Sequence, residues 1–309
     1  MMSGAQKVRA GRRTVEVGKP EKVLFPDPGI TKADLAAYYR TVAPRMLPHL
    51  RGRPLMLERH PDGVDGSGFM QKDIPASFPD WVHRAELPKE GGTVTYVVGE
   101  DTATLVLLAD QGCVTLHRWL SRADRPDHPD RMVFDLDPAD DDGSGDGFAH
   151  ARDAARLLHE LLDDLGLPAL LMTTGSRGLH VVVPLDRSAP FDDVRAFAAD
   201  VATVLADRHP DRLTTAVRKQ ARAGRLYLDI QRNAYGQTAV APYSVRALPD
   251  APVAAPLAWA DLDDPELDAR RWHLTDADRL LTENPWSPAP RPHSLGPAAD
   301  RLRRAATRT

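Results

Sequence analysis

The chain has 309 residues, 42% of them hydrophobic and 27% charged, with a formal net charge of −4. That length and balance permit one large core or two fused ones and exclude a fibre, and the longest apolar runs, at 104–108 and 179–184, fall far short of the roughly 20 residues a membrane-crossing helix needs. A single cysteine, Cys113, excludes an internal disulfide and a cysteine metal cluster and fits a reducing cytoplasm, and the N-terminal MMSGAQKVRAGRR lacks the apolar stretch of a secretory signal.

Residues 1–13 have few apolar positions and no alternation, which predicts a disordered basic arm. Over residues 1–72 there are 13 Lys and Arg against 7 acids, whereas acids gather at 135–146 and 261–268. An acidic protein can therefore still present one basic surface. Residues 15–25 predict a short strand that leads into the turn 26–29. Thr31 with Asp34 three residues on is a variant capping box, and Leu35, Tyr38, Tyr39, Val42 and Met46 recur at helical spacing, so a helix is expected to run from Thr31 to near Pro48. Two short strands, at 54–59 and 68–72, flank a Gly/Asp-rich turn at 62–67.

Further on, 131–137 (RMVFDLD) reads as an apolar strand ending in acids, 140–147 as a flexible loop and 148–165 as a long helix stopped by Gly166. Strands at 169–173 and 179–184 enclose the tight turn GSRG at 175–178. A helix at 191–208 precedes strands at 225–231 and 238–242. This order implies an α/β fold in which helices cover at least one face of a sheet. The stretch 285–297 is proline-rich and the tail beyond it basic, so both read as linker-like.

Asp135 and Asp137 stand two apart on a strand, so both side chains project from one face. Two such carboxylates repel unless a cation lies between them, and hard oxygen ligands suit Mg²⁺ or Mn²⁺. Asp229, inside the apolar LYLDIQ, is a third acid that would be costly to bury unpaired. Three strand-borne acids on one sheet face are what two-metal phosphoryl transfer requires. The turn 173–180 (TTGSRGLH) complements them: Gly175 and Gly178 let backbone amides approach an anion, Thr174 and Ser176 offer hydroxyls, Arg177 adds charge, and His180 opens the next strand. Arg59, Lys72, His117, Arg118, Lys219, Arg222, Arg225, Arg232 and Arg246 are further groups able to neutralise a triphosphate or track a nucleic-acid backbone.

Six ordered motifs carry a family resemblance: KVLFP…TK at 22–32, GFMQKDIP at 68–75, TLHRWLSR at 115–122, FDLDP at 134–138, TTGSRGLHVVVPL at 173–185 and RLYLDIQRNAYGQTAVAPYSVRA at 225–247. Over about 15–286 the chain resembles the primase-polymerase domain of bacterial DNA ligase D, within the archaeo-eukaryotic primase superfamily, met here as a separate polypeptide. The resemblance implies a primase-like α/β (α+β) core, sheets flanked by helices, spanning 14–286. An N-terminal part of about 14–125 would pack closely on a catalytic sheet of about 126–250, with the arm at 1–13 and a Pro-rich linker and basic tail at 287–309.

It further implies a DNA-dependent nucleotidyltransferase that fills short gaps, with a preference for ribonucleotides, in non-homologous end joining. Asp135, Asp137 and Asp229 correspond to the family's catalytic, metal-binding acids for two divalent ions, Mn²⁺ or Mg²⁺. Thr174, His180, Arg232 and Arg246 correspond to contacts with the nucleotide's phosphates, joined by Ser176 and Arg177 of the turn. Lys72 and His117 line the nucleotide pocket, with His117 near the sugar. Lys22 and Lys32 match lysines that bind the 5′-phosphate of a downstream strand, with Lys19 and Arg59 as further DNA contacts. Glu58, Lys19 and Ile230 depart from residues common in relatives, which bears on substrate details. The expected partners are gapped, nicked or broken DNA with a 5′-phosphate, nucleoside triphosphates, Ku and a separate DNA ligase, because no ligase or nuclease domain is expected in the chain; a cytoplasmic, nucleoid-associated location and no membrane contact are also expected. A primer-independent primase and a non-catalytic end-bridging protein are the competing readings.

Overall fold

The computed structural model describes residues 4–138 and 147–306. The chain forms two compact units, neither of them a single stretch: one runs to Asp124 and takes in Thr238–Ala255 and Arg270–Asn284, and the other comprises Arg125–Gln237, Pro256–Ala269 and the chain from Pro285. Each has its own apolar core. The architecture is mixed α/β with sheets flanked by helices, as expected. No helix among the described residues is long and apolar enough to cross a membrane.

The first unit is built on an antiparallel sheet in the order Thr238–Val240, Cys113–Trp119, Leu55–Arg59, Phe69–Gln71. The capping box expected at Thr31 is present: the Thr31 amide donates to Asp34 Oδ2 at 2.8 Å, and the Asp34 amide to Thr31 Oγ1 at 3.3 Å. It starts the helix Lys32–Met46, whose Leu35, Tyr38, Tyr39, Val42 and Met46 are all buried. The apolar run at 104–108 lies inside a second helix, Thr102–Asp110, capped by Asp101. The expected disordered arm at 1–13 is, over its described part, mostly a hairpin of Gln6–Ala10 with Arg13–Val17. Val8, Ala10, Val15 and Val17 turn inward while Lys7 and Arg9 face outward, so a period of two is present but obscured by the charges. The strand expected over 15–25 is broken by a turn at Lys19, whose φ of 49° is left-handed, before Val23–Phe25.

The second unit holds a six-stranded sheet in the order Leu213–Thr214, Leu226–Asp229, Arg131–Asp137, Leu179–Pro184, Leu170–Thr173, Pro256–Leu257. Met132, Phe134, Leu136, Leu179, Val181, Val183 and Leu228 share one core with Ala154, Leu158 and Leu162 of helix Gly147–Asp164 and Val194, Ala198 and Val201 of helix Phe191–Arg208. Alternation then sends Val133, Asp135 and Asp137 to the other face. The strand expected at 238–242 belongs instead to the first unit, paired with Cys113–Trp119. The expected linker and tail at 287–309 give way, over the described residues, to packed chain. Trp286 Nε1 donates to Leu171 O at 2.8 Å. Gly296–Ala306 is an amphipathic helix that buries Ala298 and Leu302, and its Arg301 Nη1 donates to Leu165 O at 2.5 Å. The loop expected at 140–147 lies, through residue 146, outside the described residues, as do 1–3 and 307–309.

Candidate active site

Register brings the three acids together on the face of the second unit's sheet away from helices Gly147–Asp164 and Phe191–Arg208. Asp135 is directly opposite His180 on one neighbouring strand and Asp229 on the other, and Asp137 is opposite Tyr227. Residues directly opposite in an antiparallel pair share a face, and like charges so placed are destabilising. Two partners, His180 and Arg232, offset this at Asp135, which is 4% exposed. His180 Nε2 lies 3.3 Å from its Oδ1, and Arg232 Nε and Nη2 each donate to its Oδ2 at 3.3 Å. Burial opposes ionisation of Asp135, but His180 and Arg232 outweigh it and hold the carboxyl below its ordinary value. Burial, and then the charge of Asp135, push Asp137 the other way, with Arg177 Nη2 3.7 Å from its Oδ2 as partial compensation. Asp229 Oδ1 accepts the Gln231 amide at 2.7 Å.

The turn after Leu170–Thr173 is closed by Thr174. Its amide donates to Gly178 O at 3.0 Å, and its Oγ1 accepts from the amides of Gly178 at 3.2 Å and Ser176 at 3.3 Å. Gly175 takes a left-handed φ of 65°. Gly178 serves a different end: a Cβ there would lie 2.2 Å from Leu136 O and 3.1 Å from Asp137 Oδ1. Only glycine lets the turn approach the acid-bearing strand this closely. Thr174, Ser176, Arg177, His180 and Arg232 thus gather around the acids in one unit.

Asn233, absent from the expectations, fixes the far side. It is fully buried; its Oδ1 accepts the Val133 amide at 2.8 Å, and its Nδ2 donates to Val133 O at 2.7 Å and Ile230 O at 2.9 Å. One side chain thereby continues the ladder where Leu226–Asp229 leaves the sheet, and it sets the short turn Gln231–Asn233 that carries Arg232. An asparagine inside RLYLDIQRNAYG was the available signal.

Lys219, Arg222 and Arg225 also belong to the second unit, and the remaining expected residues lie in the first. Gly18, Lys19, Lys22, Lys32, Arg59, Asp110 and Gln111 are among those lining a surface pocket of about 350 Å³. The four cations proposed for DNA, 40 residues apart in sequence at their extremes, therefore share one place. Lys22 Nζ is 2.8 Å from Asp62 Oδ1 and Lys32 Nζ 3.3 Å from Asp110 Oδ1. Arg59 donates to Gln111 O through Nε at 2.9 Å and Nη2 at 2.7 Å. Lys72 is exposed beside Phe69–Gln71, and Arg246 donates its amide to Pro252 O at 2.7 Å. His117, opposite Met56 and Val240, has Nε2 3.7 Å from Glu58 Oε2, and His60 Nε2 lies 3.4 Å from the other oxygen of Glu58. Burial raises the Glu58 carboxyl, but contacts with His117, Thr115 and His60 outweigh it and bring it down to about 2.

Carboxylate oxygens on one sheet face, two of them on directly opposed residues, are a donor set that suits hard divalent cations. Among the described residues, no group of three or more His, Cys, Asp or Glu side chains is arranged to hold a metal ion.

The family described as LigD, primase-polymerase domain matches residues 31–286. The Multifunctional non-homologous end joining DNA repair protein LigD of Mycobacterium tuberculosis is 37% identical over 266 residues, covering 84% of this chain and 34% of that protein. The Pseudomonas aeruginosa Multifunctional non-homologous end joining protein LigD is 31% identical over 295 residues, covering 93% of this chain and 34% of that protein. A solved structure, the polymerase domain from Mycobacterium tuberculosis ligase D in complex with DNA, matches with a TM-score of 0.81 and 35% identity, covering 87% of this chain and 95% of that one. The chain spans about a third of the length of these two curated relatives.

Proposed function

The chain belongs to the LigD primase-polymerase domain family and is a nucleotidyltransferase-type polymerase; from that premise we propose that it extends a DNA-templated primer across short gaps bearing a downstream 5′-phosphate, in end joining. The observation that carries this reading is the convergence of Asp135, Asp137 and Asp229 on one sheet face, with His180, Arg232 and the Thr174–Gly178 turn around them. The matched structure, a polymerase domain in complex with DNA, supports DNA as the substrate of this chain too.

In this reading Asp135, Asp137 and Asp229 hold two divalent cations, Mn²⁺ or Mg²⁺. When bound, such ions activate the attacking 3′-hydroxyl and neutralise the departing pyrophosphate. Arg232 and His180 fix the Asp135 carboxylate and keep it ionised. Arg177, the Ser176 hydroxyl and the turn's amides offer donors to the triphosphate, orienting it for in-line attack on the α-phosphate. Thr174 holds the turn in shape through its Oγ1. Lys72, His117 and Arg246 keep the nucleotide contacts that the family resemblance assigns to them, and Lys19, Lys22, Lys32 and Arg59 receive the 5′-phosphate. Ribonucleotide preference and cooperation with Ku and a ligase are part of the same proposal.

Asp137→Ala tests the acid assignment. Primer extension should fall to background with DNA affinity retained; extension at the wild-type rate contradicts the assignment.

A further inference from the structure

Two residues of the first unit break the same local rule. Helix N-termini favour acids and C-termini favour cations, yet Lys32 is the first residue of helix Lys32–Met46 and Asp110 the last of helix Thr102–Asp110. Each placement is unfavourable alone, and the fold sets one against the other. Lys32 Nζ lies 3.3 Å from Asp110 Oδ1, the side chains only 14% and 15% exposed. The same oxygen accepts the Gly18 backbone amide at 2.8 Å, and Oδ2 accepts the Gln111 side-chain amide at 3.0 Å. Local rules broken in a compensating pair mark sites kept for function.

Asp110 therefore ties three parts of one pocket: the end of its own helix, the Lys32 ammonium, and the chain at Gly18 that leads into Lys19 and Lys22. That loop is held to the start of the other helix as well, through the Lys32 amide on Lys22 O at 2.8 Å and the Ala33 amide on Pro20 O at 2.9 Å. Lys22 is held differently. Its partner Asp62 is 83% exposed at the side chain, a contact open to exchange.

We propose that Asp110 is the positioning residue of the 5′-phosphate pocket, presetting the Lys32 ammonium and the Gly18 loop for a terminal phosphate; this rests on the reading of the pocket given above. A lysine is a point charge on a flexible stem, so recruiting it normally costs rotamer freedom. An ammonium has three donors, so one directed at Asp110 fixes its place and leaves it able to meet a phosphate oxygen.

The test is the ratio of dissociation constants for gapped DNA ending in a 5′-hydroxyl and in a 5′-phosphate, measured by fluorescence anisotropy on the full chain. Lys32→Ala should lower the ratio. Asp110→Ala should lower it about 5-fold or more although every cation remains, and the double variant should be no worse than Lys32→Ala. Affinity for the 5′-hydroxyl DNA and the melting temperature show whether each variant is folded. Asp110→Glu, which keeps the charge but displaces it by one methylene, should also lower the ratio, and it decides the matter where Asp110→Ala does not fold. An unchanged ratio in Asp110→Ala or Asp110→Glu, with Lys32→Ala impaired, overturns the proposal and leaves the pocket's reading intact. No wild-type preference for the 5′-phosphate, or no effect of Lys32→Ala, overturns both.

Discussion

At Gly178 a single missing Cβ decides whether the Thr174–Gly178 turn can sit on the acid-bearing strand, because the nearest atom is the Leu136 carbonyl and cannot rotate away. Gly178→Ala should cost about 1–3 kcal/mol of stability and depress extension more than stability alone explains. Thermal melting paired with single-turnover extension measures both, and an unaltered variant would show that the contact is not needed. Glu58 makes a pH prediction. Burial raises it, but its histidine and threonine contacts bring the carboxyl down to about 2 from an ordinary value of 4.5. The stability it contributes is therefore complete above that ordinary value and is lost as pH falls toward 2. Glu58→Gln should flatten the acid limb of a stability–pH curve between pH 5 and 2, and parallel curves for both proteins would contradict this. At this scale the acids and His180 were legible because a strand's period of two places them. Asp110 and Asn233 were not, since Asp110 meets Lys32 across 78 positions and Asn233 meets Val133 across 100, distances over which local pattern is silent.

Among the elements, those with a clear period matched closely: Arg131–Asp137, Leu179–Pro184 and Phe191–Arg208 run as expected. Two of the misses, the N-terminal arm and the C-terminal tail, share one cause, charge masking a narrow apolar stripe. The hairpin at Gln6–Val17 buries only small and β-branched residues, and the helix Gly296–Ala306 reads as a basic tail until Ala298 and Leu302 are seen in the core. Leu302→Ala should accordingly destabilise the second unit by about 2–3 kcal/mol, whereas a true linker would tolerate it. Denaturant unfolding distinguishes the two. Asn233→Ala removes a side chain that stands in for strand pairing and leaves Val133 and Ile230 backbone groups unsatisfied. We expect a loss of about 2–3 kcal/mol and weakened primer extension through misplacement of Arg232. A variant with wild-type melting and activity would show that the Gln231–Asn233 turn needs no such brace.

On the scale of the whole molecule, the candidate chemistry divides between two cores: the acids, the turn and Arg232 in one, the basic pocket in the other. The chain enters each unit more than once, so a boundary drawn at one sequence position could not describe it. The proposed function joins these parts into one expectation, a polymerase that senses the far side of a gap while extending the near side. The most direct test is extension of a labelled primer across a short gap, with and without a downstream 5′-phosphate, offering ribo- and deoxyribonucleotides separately with Mn²⁺ or Mg²⁺. The account predicts ribonucleotide addition stimulated by the 5′-phosphate and lost in Asp137→Ala. Extension indifferent to the 5′-phosphate would point to a general primase-polymerase, and no extension under any condition would contradict the catalytic reading.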